Sequence, residues 1–237
     1  MDVLISDLYG IFCRSSKQIQ HLHFWENALD LGEYNLLNVH AVRWLSREAA
    51  IVRLVKVLPA VLQVLANETR ADHKDSSEAL RHKLLTYDNL VLLHFSAHIL
   101  KFLGDFTRYL QKGGLLAPFE IEEQLQITIN SINAAFVGGL MSDIVASFYE
   151  ELVEISNYVY WRPKSTEAIG EEFLLCRLSE LDELRNKFEG IMSQAALKVV
   201  ESLENRFKDV RGLMAATKLF DPKQWPKPAN KEGLKLW

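Results

Sequence analysis

Val39–Leu65, VHAVRWLSREAAIVRLVKVLPAVLQVL, begins with an aromatic-basic pair, Arg43-Trp44, and runs directly into the most regular apolar pattern of the chain. From Ser46, whose hydroxyl suits a helix N-cap, the residues Ala50, Ile51, Leu54, Val57, Leu58, Val61, Leu62 and Leu65 recur at steps of three and four. That spacing places them on one face of a helix. The helix is expected to run to about Asn67 and to kink at Pro59, which has no amide to donate and crowds the turn before it. So broad an apolar face needs other elements to cover it, and the stretch predicts a helical domain.

The same period continues outward on both sides. Upstream, Leu4, Ile5, Leu8, Ile11, Phe12, Ile19, Leu22, Trp25 and Leu29 predict one leading helix over 1–32, kinked near Gly10 or Ser15-Ser16 and stopped by Gly32. Residues 33–43 are expected to be a connector or a short extended piece. Downstream, the polar run Glu68–Glu78 predicts an exposed loop or a weak helix end, and Ser76 or Ser77 caps a long, nearly all-round apolar helix that ends at Gly113-Gly114. Pro118 starts another long helix, weakened at Gly138-Gly139 and continuing through Phe148, Leu152 and Ile155 to near Tyr158. Tyr158, Tyr160 and Trp161, followed by Arg162-Pro163, read as a turn packed onto the bundle. Two helices, or one bent one, follow from Ser165 to Phe220. Pro222, Pro226 and Pro228 imply an extended tail over 221–237. No segment alternates cleanly, so a sheet is not expected and the fold class is all-α, with residues 33–220 as its body.

With 27 Lys+Arg against 31 Asp+Glu the chain has a formal net charge of -4. A global basic field that would gather nucleic acid is therefore excluded, and a local basic groove is allowed. Two cysteines, Cys13 and Cys176, lie far apart and fit neither a cysteine-built zinc module nor a dense disulfide framework. No apolar run is read as approaching the roughly 18 residues of a membrane span, and the N-terminus lacks the basic residues of a signal peptide. A soluble, non-secreted protein without a membrane partner is expected.

No GxSxG, P-loop or GxGxxG motif occurs, and neither cysteine is flanked as a nucleophile would be. His94 and His98 share a helical face, but the HExxH glutamate is missing, so they read as structural or surface histidines and no metal or other cofactor is expected. Glu120, Glu122 and Glu123 crowd a helix N-terminus and read as helix-capping acids. Arg14, Lys17, Arg43, Arg47, Arg53 and Lys56 cluster in the first quarter with Trp25 and Trp44 among them. Such a set can hold phosphates and stack a base, and it equally describes a solvated helix face beside packed tryptophans.

Four segments, in order, carry a resemblance. Arg43–Val61, RWLSREAAIVRLVKVLPAV, is similar to the RW-LS segment that opens the helical insertion domain of hAT superfamily transposases and of host proteins derived from them. Phe12–Lys17 resembles the helix upstream of RW in the zinc-finger-containing branch. Leu92–Gln111, LLHFSAHILKFLGDFTRYLQ, is similar to a leucine-rich helix of that domain, and Leu203–Pro226, LENRFKDVRGLMAATKLFDPKQWP, resembles its RF-D to FDP-WP ending.

The resemblance implies an RNase H-like nuclease in which three carboxylates hold two divalent metals, two aspartates preceding RW and a glutamate following the insertion domain. None of the three is found in this sequence, and neither are the zinc finger and the dimerisation segment. The expectation is a non-enzymatic helical domain, either a truncated gene product or a domesticated interaction module, in the nucleus or otherwise the cytoplasm. By resemblance Arg43, Trp44 and Arg47 would contact DNA, Trp44 by stacking, with Arg14, Lys17, Arg53 and Lys56 as further backbone contacts. The alternative is a helical scaffold whose long helices and Tyr158–Trp161 cluster present a surface to a protein partner.

Overall fold

The computed structural model describes residues 2–13, 15–37, 44–69, 74–112, 117–138 and 143–221. The described chain is all-α apart from one small sheet. In order it forms α1 (Asp2–Cys13), α2 (Ser16–Ala28), α3 (Trp44–Thr69), α4 (Lys74–Leu84), α5 (Tyr87–Leu110), α6 (Pro118–Phe136) and α7 (Asp143–Glu150). There follow β1 (Leu152–Ile155), β2 (Tyr158–Trp161), a 3-10 turn (Lys164–Ile169), β3 (Phe173–Arg177), α8 (Leu178–Ala216) and a second 3-10 turn (Thr217–Phe220).

α3 and α5 lie against each other at the centre. Val57, Leu58, Ala60, Val61, Leu62 and Leu65 of α3 and Leu90, Val91 and Leu93 of α5 are essentially inaccessible to solvent. Each such Leu or Val stabilises the fold by roughly 1.5–3 kcal/mol. α2 and α4 cover α3, α1 packs on α2, α6 and α7 cover α5, and α8 lies along α6 and α5. Contrary to the sequence reading, Leu45–Asn67 and Tyr87–Leu110 are each long and apolar enough to cross a membrane by length and composition. About two thirds of each apolar window, 67%, is buried inside the bundle. The central position of the two helices accounts for their composition.

Several boundaries differ from the sequence reading, each for a local reason. The leading helix is two helices, because the Ser15 hydroxyl accepts the Gln18 amide at 3.4 Å and starts α2 afresh. α2 ends at Ala28, before Gly32, and is closed by Asp30, whose left-handed φ of 53° lets the Leu31 amide reach the Glu26 carbonyl at 2.9 Å and the Asp30 amide reach Asn27 at 3.2 Å. That pair of bonds is a Schellman closure. α3 begins at Trp44, before the expected cap Ser46, and passes through Pro59 without interruption. The long helix expected from Ser76 or Ser77 is divided at Thr86, which caps α5 through the Asn89 amide at 3.2 Å; Ser77 lies inside α4.

The largest correction falls on residues 118–177. The helix from Pro118 ends at Phe136, and Leu152 and Ile155 belong to a strand. β1, β2 and β3 form an antiparallel meander in that order, with Leu152 opposite Trp161 and Tyr160 opposite Leu174. The aromatic cluster is therefore the middle strand. Val159 and Trp161 face inward and are buried, Tyr158 is exposed, and Tyr160 is intermediate. α8 is one uninterrupted helix of 39 residues that starts only at Leu178. Of the tail expected over 221–237, Asp221 is described and buried, and residues 222–237 lie outside the described residues.

Candidate nucleic-acid interface

Of the residues expected to meet DNA, Arg14 and Arg43 lie outside the described residues. Trp44 is the first residue of α3, and Arg47 follows within the same turn, half-buried. Lys17 is exposed in the first turn of α2. Arg53 and Lys56 stand further along α3, and the fold brings these two together at Tyr34, in the connector after α2. The Lys56 ammonium donates to the Tyr34 hydroxyl and lies 4.3 Å from the ring centroid. Arg53 sits 5.8 Å from the same centroid, and its Nη1 donates to the Asn35 carbonyl at 2.9 Å. Cations held over an aromatic face in this way are attracted by its quadrupole.

Tyr34 is itself anchored from α2. Its amide donates to Glu26 Oε2 at 3.0 Å. Glu26 is fully buried, and desolvation pushes its carboxyl above the usual range, against the opposing pull of the Tyr34 amide and of His23 at 4.0 Å. A buried carboxylate, a tyrosine and two α3 cations thus form one chain of contacts that fastens the connector over 31–37 to the bundle. The geometry of Arg53 and Lys56 serves the fold. Sequence reasoning named the cations and missed Glu26 and Tyr34. A carboxylate inside the apolar pattern of α2, four residues after Leu22, was the signal that could have revealed the anchor.

The remaining candidates resolve as structure. His94 Nδ1–H donates to the Leu90 carbonyl at 2.8 Å, and the ring packs 4.8 Å from Phe148 and 6.3 Å from Trp161. Burial lowers its pKa to about 4, so the imidazole is neutral. His98 stacks on Phe102 at 4.6 Å, and burial lowers its pKa as well, assisted by Lys101 and opposed by Asp143. Among the described residues no three His, Cys, Asp or Glu gather as a metal site would require. Glu120 caps α6 by accepting the Ala117 amide at 3.1 Å. Glu122 instead accepts from Arg211 at 2.5 Å, and Glu123 from Lys218 at 2.7 Å. Trp161 Nε1 donates to Glu151 at 2.9 Å, which holds the aromatic strand inward.

Compared with protein-family models, curated proteins and solved structures, the chain matches none.

Proposed function

We propose that this chain is a non-enzymatic helical module, akin to the insertion domain of hAT transposases, that touches the DNA backbone through the head of α3. The observation that supports this reading is the place of Trp44 and Arg47 in the first turn of α3. Trp44 is the first residue of a helix of 26 residues and so stands at a helix N-terminus, where amides without intrahelical partners and the helix dipole favour a phosphate; Arg43 enters this reading by its sequence position alone. Arg47 adds a guanidinium one turn on. Arg53 and Lys56, held at Tyr34, are assigned to the fold, and Lys17 to a peripheral contact. A nuclear location goes with this reading.

Fluorescence anisotropy with labelled duplex and hairpin DNA, across a salt series, tests it. Removing Arg43 or Arg47 should weaken binding and reduce the salt slope by about one per cation removed. Arg53→Ala with Lys56→Ala should leave the slope nearly unchanged. Affinity that is indifferent to Arg43→Ala with Trp44→Ala overturns the DNA reading. Strand cleavage in the presence of manganese would overturn the non-enzymatic one.

A protein-binding scaffold is the second reading. It is favoured by exposed apolar side chains along α8 and beyond it, including Val210, Leu213 and Phe220.

A further inference from the structure

α5 and α8 do not close on each other along their whole length. Between them runs a groove of about 360 Å3, floored by Leu103, Phe106, Leu110, Val199, Leu203 and Phe207. Phe106 and Phe207 meet edge to face at 5.8 Å in that floor. The Thr107 hydroxyl, the polar group nearest the α5 side, donates to the Leu103 carbonyl at 2.7 Å, which leaves the floor apolar in character.

The α8 rim is different. Lys198, Ser202 and Arg206 follow at intervals of four, all exposed, and neither cation has a hydrogen-bond or ion-pair partner among the described residues. Two basic residues that follow on the α6 side are engaged: Arg211 pairs with Glu122 and Lys218 with Glu123. Beyond Arg206 the same face carries Asp209 at i+3, a single carboxylate against the two cations, and the apolar Val210 and Leu213, 44% and 71% exposed, at i+4 and i+7. From Lys198 to Leu213 this face is about 22 Å long at 1.5 Å per residue.

We infer that the α5/α8 groove is a docking site for an acidic amphipathic helix of a protein partner. Leucine-type anchors at i, i+4 and i+7 would fill the floor, and carboxylates along one edge would meet Lys198 and Arg206. Charge selects this occupant over the chain's own C-terminal sequence, because residues 222–237 carry Lys223, Lys227, Lys231 and Lys235 against Glu232 alone. A segment of that sign is repelled by the rim. The inference rests on the scaffold reading and is independent of any DNA contact at α3.

The test uses the full chain and two fluorescein-labelled helical peptides with the same leucine face, one with glutamates along the edge and one with lysines in their place. The acidic peptide should bind roughly tenfold tighter than its basic twin, the difference expected of two exposed charge pairs. Lys198→Glu with Arg206→Glu should invert the preference, and Ser202→Trp, which fills the exposed rim, should abolish binding without shifting the melting temperature. If both peptides bind equally, the charge-selected site is overturned while the scaffold reading stands. If neither binds at concentrations up to about 100 μM, a limit of roughly -5.5 kcal/mol, both are overturned. An acidic preference that survives the double charge reversal also sinks the proposal.

Discussion

Gly104 of α5 lies directly beneath Glu48 of α3: a methyl group placed on Gly104 would stand 1.9 Å from Glu48 Oε2. The absent side chain is what lets a carboxylate pass between the two central helices. Once there, it receives both terminal nitrogens of Arg108, Nη1 to Oε2 at 2.6 Å and Nη2 to Oε1 at 2.8 Å. Asp105 accepts a further bond from Nη2 at 2.7 Å, and the guanidinium pKa is raised by these partners, Glu48 first. A glycine inside a helix costs about 1 kcal/mol against alanine, and here the ion pair between α3 and α5 offsets that cost.

Gly104→Ala should therefore destabilise the protein in spite of its better helix propensity. The expected net loss is about 1–2 kcal/mol, because a displaced carboxylate leaves Arg108 poorly matched while the exposed part of the guanidinium is screened by solvent. In a Glu48→Ala background the same change should turn neutral or mildly stabilising. Urea denaturation of the four-member cycle measures it, and an unchanged effect of Gly104→Ala in the two backgrounds would show that Glu48 is not the cause.

Acid sensitivity should trace to His94. Its pKa is about 4 in the fold against 6.5 in its absence, so between these values the unfolded chain takes up a proton that the native ring refuses. Stability is then unaffected above pH 6.5 and falls as pH drops toward 4, by up to about 3 kcal/mol in total. His98, shifted in the same direction, adds to the slope. His94→Leu should flatten the pH dependence of the melting temperature in this window, since the Leu90 carbonyl already serves the helix backbone.

Glu26 carries the opposite sign. Its folded pKa is raised, so the native carboxyl binds a proton more readily than the unfolded one, and its ionised form weakens the fold as pH rises above the unfolded value of 4.5. Glu26→Gln keeps an acceptor for the Tyr34 amide without the buried charge, and should raise stability at pH 7 by up to about 1 kcal/mol, with the gain disappearing in acid. Glu26→Ala, which strands that amide, should cost about 1–3 kcal/mol at either pH. Thermal melts at pH 7 and pH 4 distinguish the two variants.

Tyr34→Ala should release both α3 cations. A loss of about 1–2 kcal/mol in stability is expected from the ring contacts and the connector they hold. If the head of α3 does meet DNA, the variant should also show a steeper salt dependence of DNA affinity than the parent, because Arg53 and Lys56 become available to phosphates. An identical slope would mean that those two cations are already available, or irrelevant.

Trp161→Phe should cost about 1–2 kcal/mol through the lost bond to Glu151, and Trp161→Ala about 3–5 kcal/mol through the cavity left among His94, Phe148 and Phe173. Chemical denaturation of both checks the ranking.

The helical class and the central helix were readable from residue order, since the three-four spacing from Ala50 to Leu65 is a local property that any helical partner can bury. The apolar spacing across 80–110 was just as plain, yet the break at Thr86 was not, because capping by one hydroxyl competes with continuation and only the packed arrangement of α4 and α5 decides between them. Leu152 and Ile155 fit a helical period and a strand period alike. Their pairing with Trp161 and Tyr158 became favourable once Trp161 could bury itself against Phe148 and Phe173.

The basic fringe shows the same division at the level of chemistry. Composition and order disclose that Arg53 and Lys56 share a helix with Arg47, but the partner that takes two of those cations comes from Tyr34, outside the helix, and is placed there by Glu26. Which charges face outward and which are absorbed by the fold is a property of side chains meeting across the chain, and it exists only once the helices have packed.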